Sequence, residues 1–396
     1  MKLKVKFGRT SSSSYETVAS IDHLLTCILL RLPFKSLIRF KLVSKHWHSL
    51  ITDPHFCRLR NPNPNPAIGL FLHFNFSISP MSQYLPFSLN QSTKPPFRTL
   101  NFTKHNPRAG ILQSCNGLLL CCSFHSRPVH NRKYYIFNPT TTRFSTLPKI
   151  DYVDRNISGM NLGFDPAKSP HYKVVCVTGL SSVRYQIELY SSERGPWREC
   201  GQPFVLTAGS HFNFRKGVYW NGAIHWLNIG HGDSLYFNLE NETTGSFPTP
   251  PNQLWEVRSS VYFGESCDHL HYMEMPNRQV EFDVYEMKRD YSEWFVKYKV
   301  DLRGVVASYP EMKQEKYDTE DVDVYVISFF SVIRGEKEED SFFVFHIPGR
   351  VVRYDLACQT FRTIHVFRDA EDEVRNRCLR YRETNAIQHI QSLCCV

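Results

Sequence analysis

At 396 residues the chain is long enough for two or three domains, and 47 Lys and Arg against 38 Asp and Glu leave a formal charge of +9. No run approaches the roughly 18 apolar residues of a membrane helix, and the opening "MKLKVKFGRTSSSSYETVAS" holds no apolar signal core, so neither membrane insertion nor secretion is expected. Twelve Cys without paired spacing point to reduced thiols in the nucleus or cytoplasm.

The charge is concentrated at one end. Residues 1–60 hold 11 Lys and Arg against 3 Asp and Glu, and the rest of the chain is close to neutral. Residues 1–19, with the run Ser11–Ser14, read as a disordered basic arm. From 20 to 60 the pattern is helical. Leu24, Leu25, Ile28, Leu29 and Leu32 predict a one-faced helix that Pro33 must stop. Ser36 is placed to cap a second helix carrying Leu37, Phe40 and Val43, and Ser44 a third carrying Trp47, Leu50 and Ile51. Asp53-Pro54 opens a short fourth. Helices this short are marginal alone, so their apolar faces must dock on the rest of the chain or on a partner. Their basic charge favours an acidic protein or nucleic acid.

Proline at every second position in "NPNPNP" (61–66) predicts an extended, semi-rigid spacer before a body of residues 67–396. The body carries an internal repeat of apolar strand, polar turn and aromatic. It recurs at 134–148, 187–197, 235–247, 284–294 and 352–361, with a first polar residue at Asn138, Ser191, Asn238, Glu286 and Asp355. Four intervals run 53, 47, 48 and 69 residues, the longest holding the acidic stretch 311–324, expected to be a loop insertion. Asn116-Gly117, Asn221-Gly222 and Cys267-Asp268 supply tight hairpin turns. A period near 50 built of hairpins predicts an irregular kelch-like β-propeller, with two packed sheets as the alternative. The fold class expected is therefore mainly β with a small N-terminal all-α module.

Two families resemble these parts. "IDHLLTCILLRLPFKSLIRFKLVSKHWHSLITDPHF" is similar to the F-box of plant F-box proteins, although such boxes usually begin Leu-Pro where this chain has Ser20-Ile21. "ILQSCNGLLLC", "YYIFNPTTTRFSTLP", "GVYWNGAIHWL" and "AIQHIQSLCCV" resemble successive signatures of the F-box-associated interaction domain. The resemblance implies docking on an acidic Skp-type adaptor, and through it on a cullin and a RING protein of an SCF ubiquitin ligase. A substrate protein of unspecified identity would sit on the body. The residues expected to meet the adaptor, some of them serving as internal core, are Leu24, Ile28, Leu32, Pro33, Leu37, Val43 and Trp47.

Catalysis finds little support. The chain has no G-x-S-x-G, P-loop, H-E-x-x-H or G-x-G-x-x-G pattern, so no catalytic residue and no cofactor is expected. Cys267, His269 and His271 alternate and would share one face of a strand, but core and surface roles explain them better than a metal. Cys121-Cys122 and Cys394-Cys395 read as small buried hydrophobes. The aromatic residues, Trp197, Trp226 and Trp294 among them, are expected to fill the body's core, which with its neutral charge argues against nucleic acid. A scaffold or ligand-binding propeller acting outside a ligase remains the alternative to a substrate receptor.

Overall fold

The computed structural model describes residues 21–60, 66–72, 83–88, 97, 100, 109–123, 132–150, 156–251, 259–276, 279–314, 324–368, 370–376, 379–382 and 385–396. The basic arm and all but the last residue of the spacer at 61–66 lie outside these.

Four helices open the structure: α1 (Asp22–Leu30), α2 (Phe34–Phe40), α3 (Lys45–Thr52) and α4 (Pro54–Arg60). The Ser44 hydroxyl accepts the Trp47 N–H at 3.1 Å, and the Asp53 carboxylate accepts those of His55 and Phe56 at 2.8 and 3.2 Å, as the capping pattern requires. One expectation is corrected. Ser36 does not cap α2, which starts two residues earlier with Pro33 as its N-cap, because proline's fixed φ already suits a helix entrance. Val43 consequently falls in the turn beyond α2.

The body is a six-bladed propeller. Blades 1 to 5 are four-stranded antiparallel sheets spanning 109–146, 156–205, 218–247, 259–301 and 328–366. Among the described residues blade 6 has three strands, and both ends of the body build it. Its inner strand is Ala386–His389, paired with Gly69–Leu72, which pairs outward with Gln83–Pro86. The ring therefore closes without a covalent link, by backbone hydrogen bonds such as those in the Phe71–Ile387 register. The innermost strands of the six blades meet in cyclic order around the axis.

Each polar residue of the repeat marks the third strand of a four-stranded blade, at or next to its end. The predicted turns join first to second strands, and both residues of each have positive φ: Asn116 and Gly117, Asn221 and Gly222, Cys267 and Asp268. The long interval holds helix α5 (Arg303–Ser308) and a small hairpin of 313–314 with 324–325, while residues 315–323 lie outside the described set.

Contacts between blades also repeat. The Trp197 indole donates to the Pro148 carbonyl at 3.0 Å and that of Trp294 to Pro248 at 2.8 Å. In each pair the fourth strand of one blade is tied to the chain leaving the blade before it. Trp226 is fully buried and its indole donates to the Asn161 side chain. Helix α6 (Ala370–Asn376) docks through Glu373, whose carboxylate accepts the Gly349 N–H and contacts the buried His346 imidazole, both at 2.9 Å.

Candidate functional site: the helical module and its platform

The doubled apolar pairs of α1 divide between two roles. Leu25 and Leu29 turn inward and are buried, whereas Leu24 and Ile28, one position before each, are exposed. The inward face does not end inside the module. Leu25, Leu29, Phe34, Leu37, Ile51, Phe56 and Cys57 form one continuous apolar cluster with Cys115, Leu118 and Ile136 of blade 1, Phe164 and Val174 of blade 2, and Leu393 and Cys394 of the C-terminal tail. Four short helices, marginal alone, gain cover from one another and from the propeller and tail together.

The tail is the platform. Residues 390–396 cross the end of blade 1 that carries the Asn116-Gly117 turn, so close that a side chain at Gly117 would overlap Ser392. Asn138 fixes the path: its buried amide donates to the Ser392 and Cys394 carbonyls at 3.0 and 2.8 Å. Its carbonyl accepts the Thr140 and Thr141 N–H groups at 2.9 and 3.2 Å. Against the tail sits Cys57 of α4, its thiol pushed far up by a hydrogen bond with Cys394 and by burial. Burial lowers the Lys41 ammonium beside the same thiols. Of the paired cysteines read as buried hydrophobes, Cys121, Cys122 and Cys394 are buried; Cys395 is exposed, although Val396 beyond it packs back against the core.

The residues expected to meet an adaptor are distributed unevenly. Leu24, Ile28, Pro33 and Val43 are exposed. Leu37 is fully buried and belongs to the module's core. Leu32 is half-buried and its carbonyl accepts the Arg60 guanidinium at 3.0 Å. Trp47 is half-buried and packs edge-on against Phe40, ring centroids 5.3 Å apart. Sequence reasoning passed over Leu42, which with 87% of its surface exposed is the most open large apolar residue described, next to Val43 at 60%. A contact of 3.1 Å between the His46 imidazole and the Asp22 carboxylate sets the start of α1 beside the start of α3, just past this turn. Arg31, Lys35, Arg39 and Lys45 of the same module are also exposed.

A model of the F-box domain matches residues 22–59, and one of the F-box associated beta propeller domain matches 72–257. F-box protein At5g07610 of Arabidopsis thaliana is 36% identical over 98% of this chain and 94% of its own length. The chain belongs to the F-box protein family. F-box protein At5g49610 of the same plant is 26% identical over 73% of this chain and 81% of its own. In this F-box protein the propeller model stops after blade 3, and blades 4 to 6 continue the same architecture to the C-terminus.

No group of three His, Cys, Asp or Glu among the described residues is arranged to hold a metal ion. The strand expected to present Cys267, His269 and His271 together begins only at His269. Cys267 sits in the turn and donates to the Arg334 carbonyl, while both imidazoles pair with Glu286, at 2.8 Å for His269 and 3.6 Å for His271. Burial opposes ionisation of Glu286, but these two histidines outweigh it and hold its carboxyl below the usual range.

Proposed function

We propose that this F-box protein is the substrate-recognition subunit of an SCF-type ubiquitin ligase in the cytosol or nucleus. The observation that carries the reading is the asymmetry of the helical module. Its inner face is consumed by the propeller and tail, and Leu24, Ile28, Leu42 and Val43 remain uncovered on the outer face. That face takes a Skp-type adaptor, which brings the cullin and the RING protein. The propeller holds the target, and continuous packing between module and propeller fixes the target's position relative to the conjugating enzyme. The F-box protein contributes proximity and not bond-breaking chemistry.

The test is capture of purified adaptor and cullin by the full chain, compared with the double variant Leu24→Asp, Ile28→Asp. Both positions are exposed, so the variant keeps its fold and loses adaptor. In cells, deleting residues 20–60 leaves target binding intact and lengthens the target's half-life in a cycloheximide chase. Unchanged half-lives with binding confirmed favour the scaffold reading.

A further inference from the structure

The seam between the F-box and the tail gathers three cysteines and a lysine. Cys57 of α4 and Cys394 of the tail are buried in the same apolar cluster, and their thiols are hydrogen-bonded to each other. Each is anchored by its own segment. The Cys57 N–H donates to the Asp53 carbonyl at 2.9 Å, and its thiol faces the Ile51 carbonyl at 3.7 Å. The Cys394 N–H donates to the Ser392 hydroxyl at 3.2 Å, and its carbonyl accepts the Asn138 amide at 2.8 Å. A disulfide tolerates little displacement of its two backbones, so thiols already in contact meet its first demand.

Cys57 is a poor first target for an oxidant. The hydrogen bond with Cys394 and burial push its thiol up, and the thiolate is the reactive form. The residue after Cys394 differs: Cys395 is exposed. Lys41 completes the group. Its ammonium, itself lowered by burial, lies close enough to Cys57, Cys394 and Cys395 to favour the thiolate of each. In a reducing compartment such thiols rest reduced, and the disulfides that do form there are transient and often redox-sensing.

We propose that Cys57 and Cys394 are an oxidation site at which a disulfide staples the F-box to the propeller, with Cys395 as the thiol that first meets the oxidant. The oxidant is a hydroperoxide. Cys395 thiolate attacks a peroxide oxygen and becomes a sulfenic acid, releasing an alcohol or water. Cys57 attacks the sulfenic sulfur, which forms a Cys57–Cys395 disulfide and releases water. Cys394 then displaces Cys395 by thiol–disulfide exchange, leaving the Cys57–Cys394 bridge and returning Cys395 as a thiol. Two thiols lose two electrons and two protons in all, and the hydroperoxide takes up both. The bridge crosses the seam that seats the F-box, so it suppresses the local opening by which the helices leave the tail. This inference does not depend on the ligase reading.

The experiment treats the reduced full chain with hydrogen peroxide, alkylates it in urea and digests it without reductant. Mass spectrometry should find one linked pair of peptides, carrying Cys57 and Cys394, that dithiothreitol separates. Non-reducing electrophoresis should show a faster monomer, because the bridge closes most of the chain into a loop. Protease should cut the F-box helices about tenfold or more slowly in the oxidised form. Cys395→Ser should slow bridge formation about tenfold, and Cys57→Ser should abolish it. Cys358→Ser, at an exposed thiol of blade 5, should change neither. The linked peptide is read in the unaltered chain, so the test stands even where Cys57→Ser disturbs the fold. Oxidised Cys395 beside Cys57 and Cys394 that are still alkylated overturns the inference. So do bridges between other cysteines in preference, a bridge that forms equally fast in Cys395→Ser, or equal protease resistance before and after oxidation.

Discussion

Asn138 and Cys394, 256 residues apart in the chain, are joined by a hydrogen bond of 2.8 Å from the side-chain amide to the backbone carbonyl. This contact ties the last residues to the end of blade 1, and the F-box stands on them. Replacing Asn138 with Ala removes the donor to two tail carbonyls in a buried site and the acceptor of two turn N–H groups in a half-buried one. The expected cost is about 1–3 kcal/mol for each group that water cannot reach. Urea denaturation reads the loss of stability. Limited proteolysis should show the F-box helices cut before the propeller, and simultaneous cleavage of both would contradict the platform role.

Removing residues 1–60 should leave a folded propeller, because every described strand of the six blades lies within residues 67–396. The fragment nevertheless uncovers Leu118, Leu393 and Cys394, which share their core with the helices. A cooperative melt with a β-type circular dichroism spectrum is expected, at a lower midpoint than the full chain and with new binding of a hydrophobic dye. Recovery only as aggregate, rescued by residues 1–60 in cis, would show that the F-box is part of the folding unit.

Trp47 and Leu24 should fail for different reasons. Trp47→Ala removes the ring that packs against Phe40, at a cost of about 3–5 kcal/mol for a core tryptophan and less for one half-buried, so adaptor capture disappears together with helix protection. Leu24→Asp with Ile28→Asp abolishes capture and leaves hydrogen exchange in the buried amides of α1 unchanged. Undiminished capture by Trp47→Ala would count against the adaptor assignment.

The two tryptophan latches should differ in strength. Trp294 is buried, so Trp294→Phe leaves the Pro248 carbonyl without a donor and costs about 1–3 kcal/mol. Trp197 is more open to solvent, so water replaces its indole at Pro148 and Trp197→Phe costs at most about 1 kcal/mol. Thermal melts of the two variants side by side decide it; equal losses would mean that ring packing and not the hydrogen bond holds the blades.

Acid should loosen the ring closure. Burial pulls the His389 imidazole of blade 6 from its ordinary 6.5 down to about 4, and that of His225 in blade 3 to about 3. Both histidines are neutral in the folded protein and take up a proton on unfolding. Their contribution is complete above pH 6.5 and is lost as pH falls from 6.5 through about 4 for His389 and about 3 for His225. At about 1.4 kcal/mol per pH unit for each proton, the loss for His389 is of the order of 3 kcal/mol. His389→Phe should make the pH dependence of stability between 6.5 and 4 less steep, His225 keeping its own share; an unchanged slope would place the proton uptake elsewhere.

Local chemistry determined much of this protein directly from its sequence. Ser44 and Asp53 cap helices because a side-chain oxygen beside free N–H groups works wherever it occurs, and Asn116-Gly117 turns because both residues tolerate positive φ. The repeat through Asn138, Ser191, Asn238, Glu286 and Asp355 pointed to propeller-like units without fixing their number, and in the structure it falls on five blades, each a consecutive run of hairpins. The sixth was hidden because its strands come from opposite ends of the body, and pairing such as Phe71 with Ile387 leaves no periodic trace. The same limit applied to the F-box. The pairs Leu24-Leu25 and Ile28-Leu29 announce an apolar helix, but which member faces out depends on what the helix packs against. Only the tertiary structure set the tail under the helices, buried Leu25, Leu29 and Leu37, and left Leu24, Ile28, Leu42 and Val43 uncovered. Burial is decided by contacts between residues hundreds of positions apart, and no local pattern encodes those.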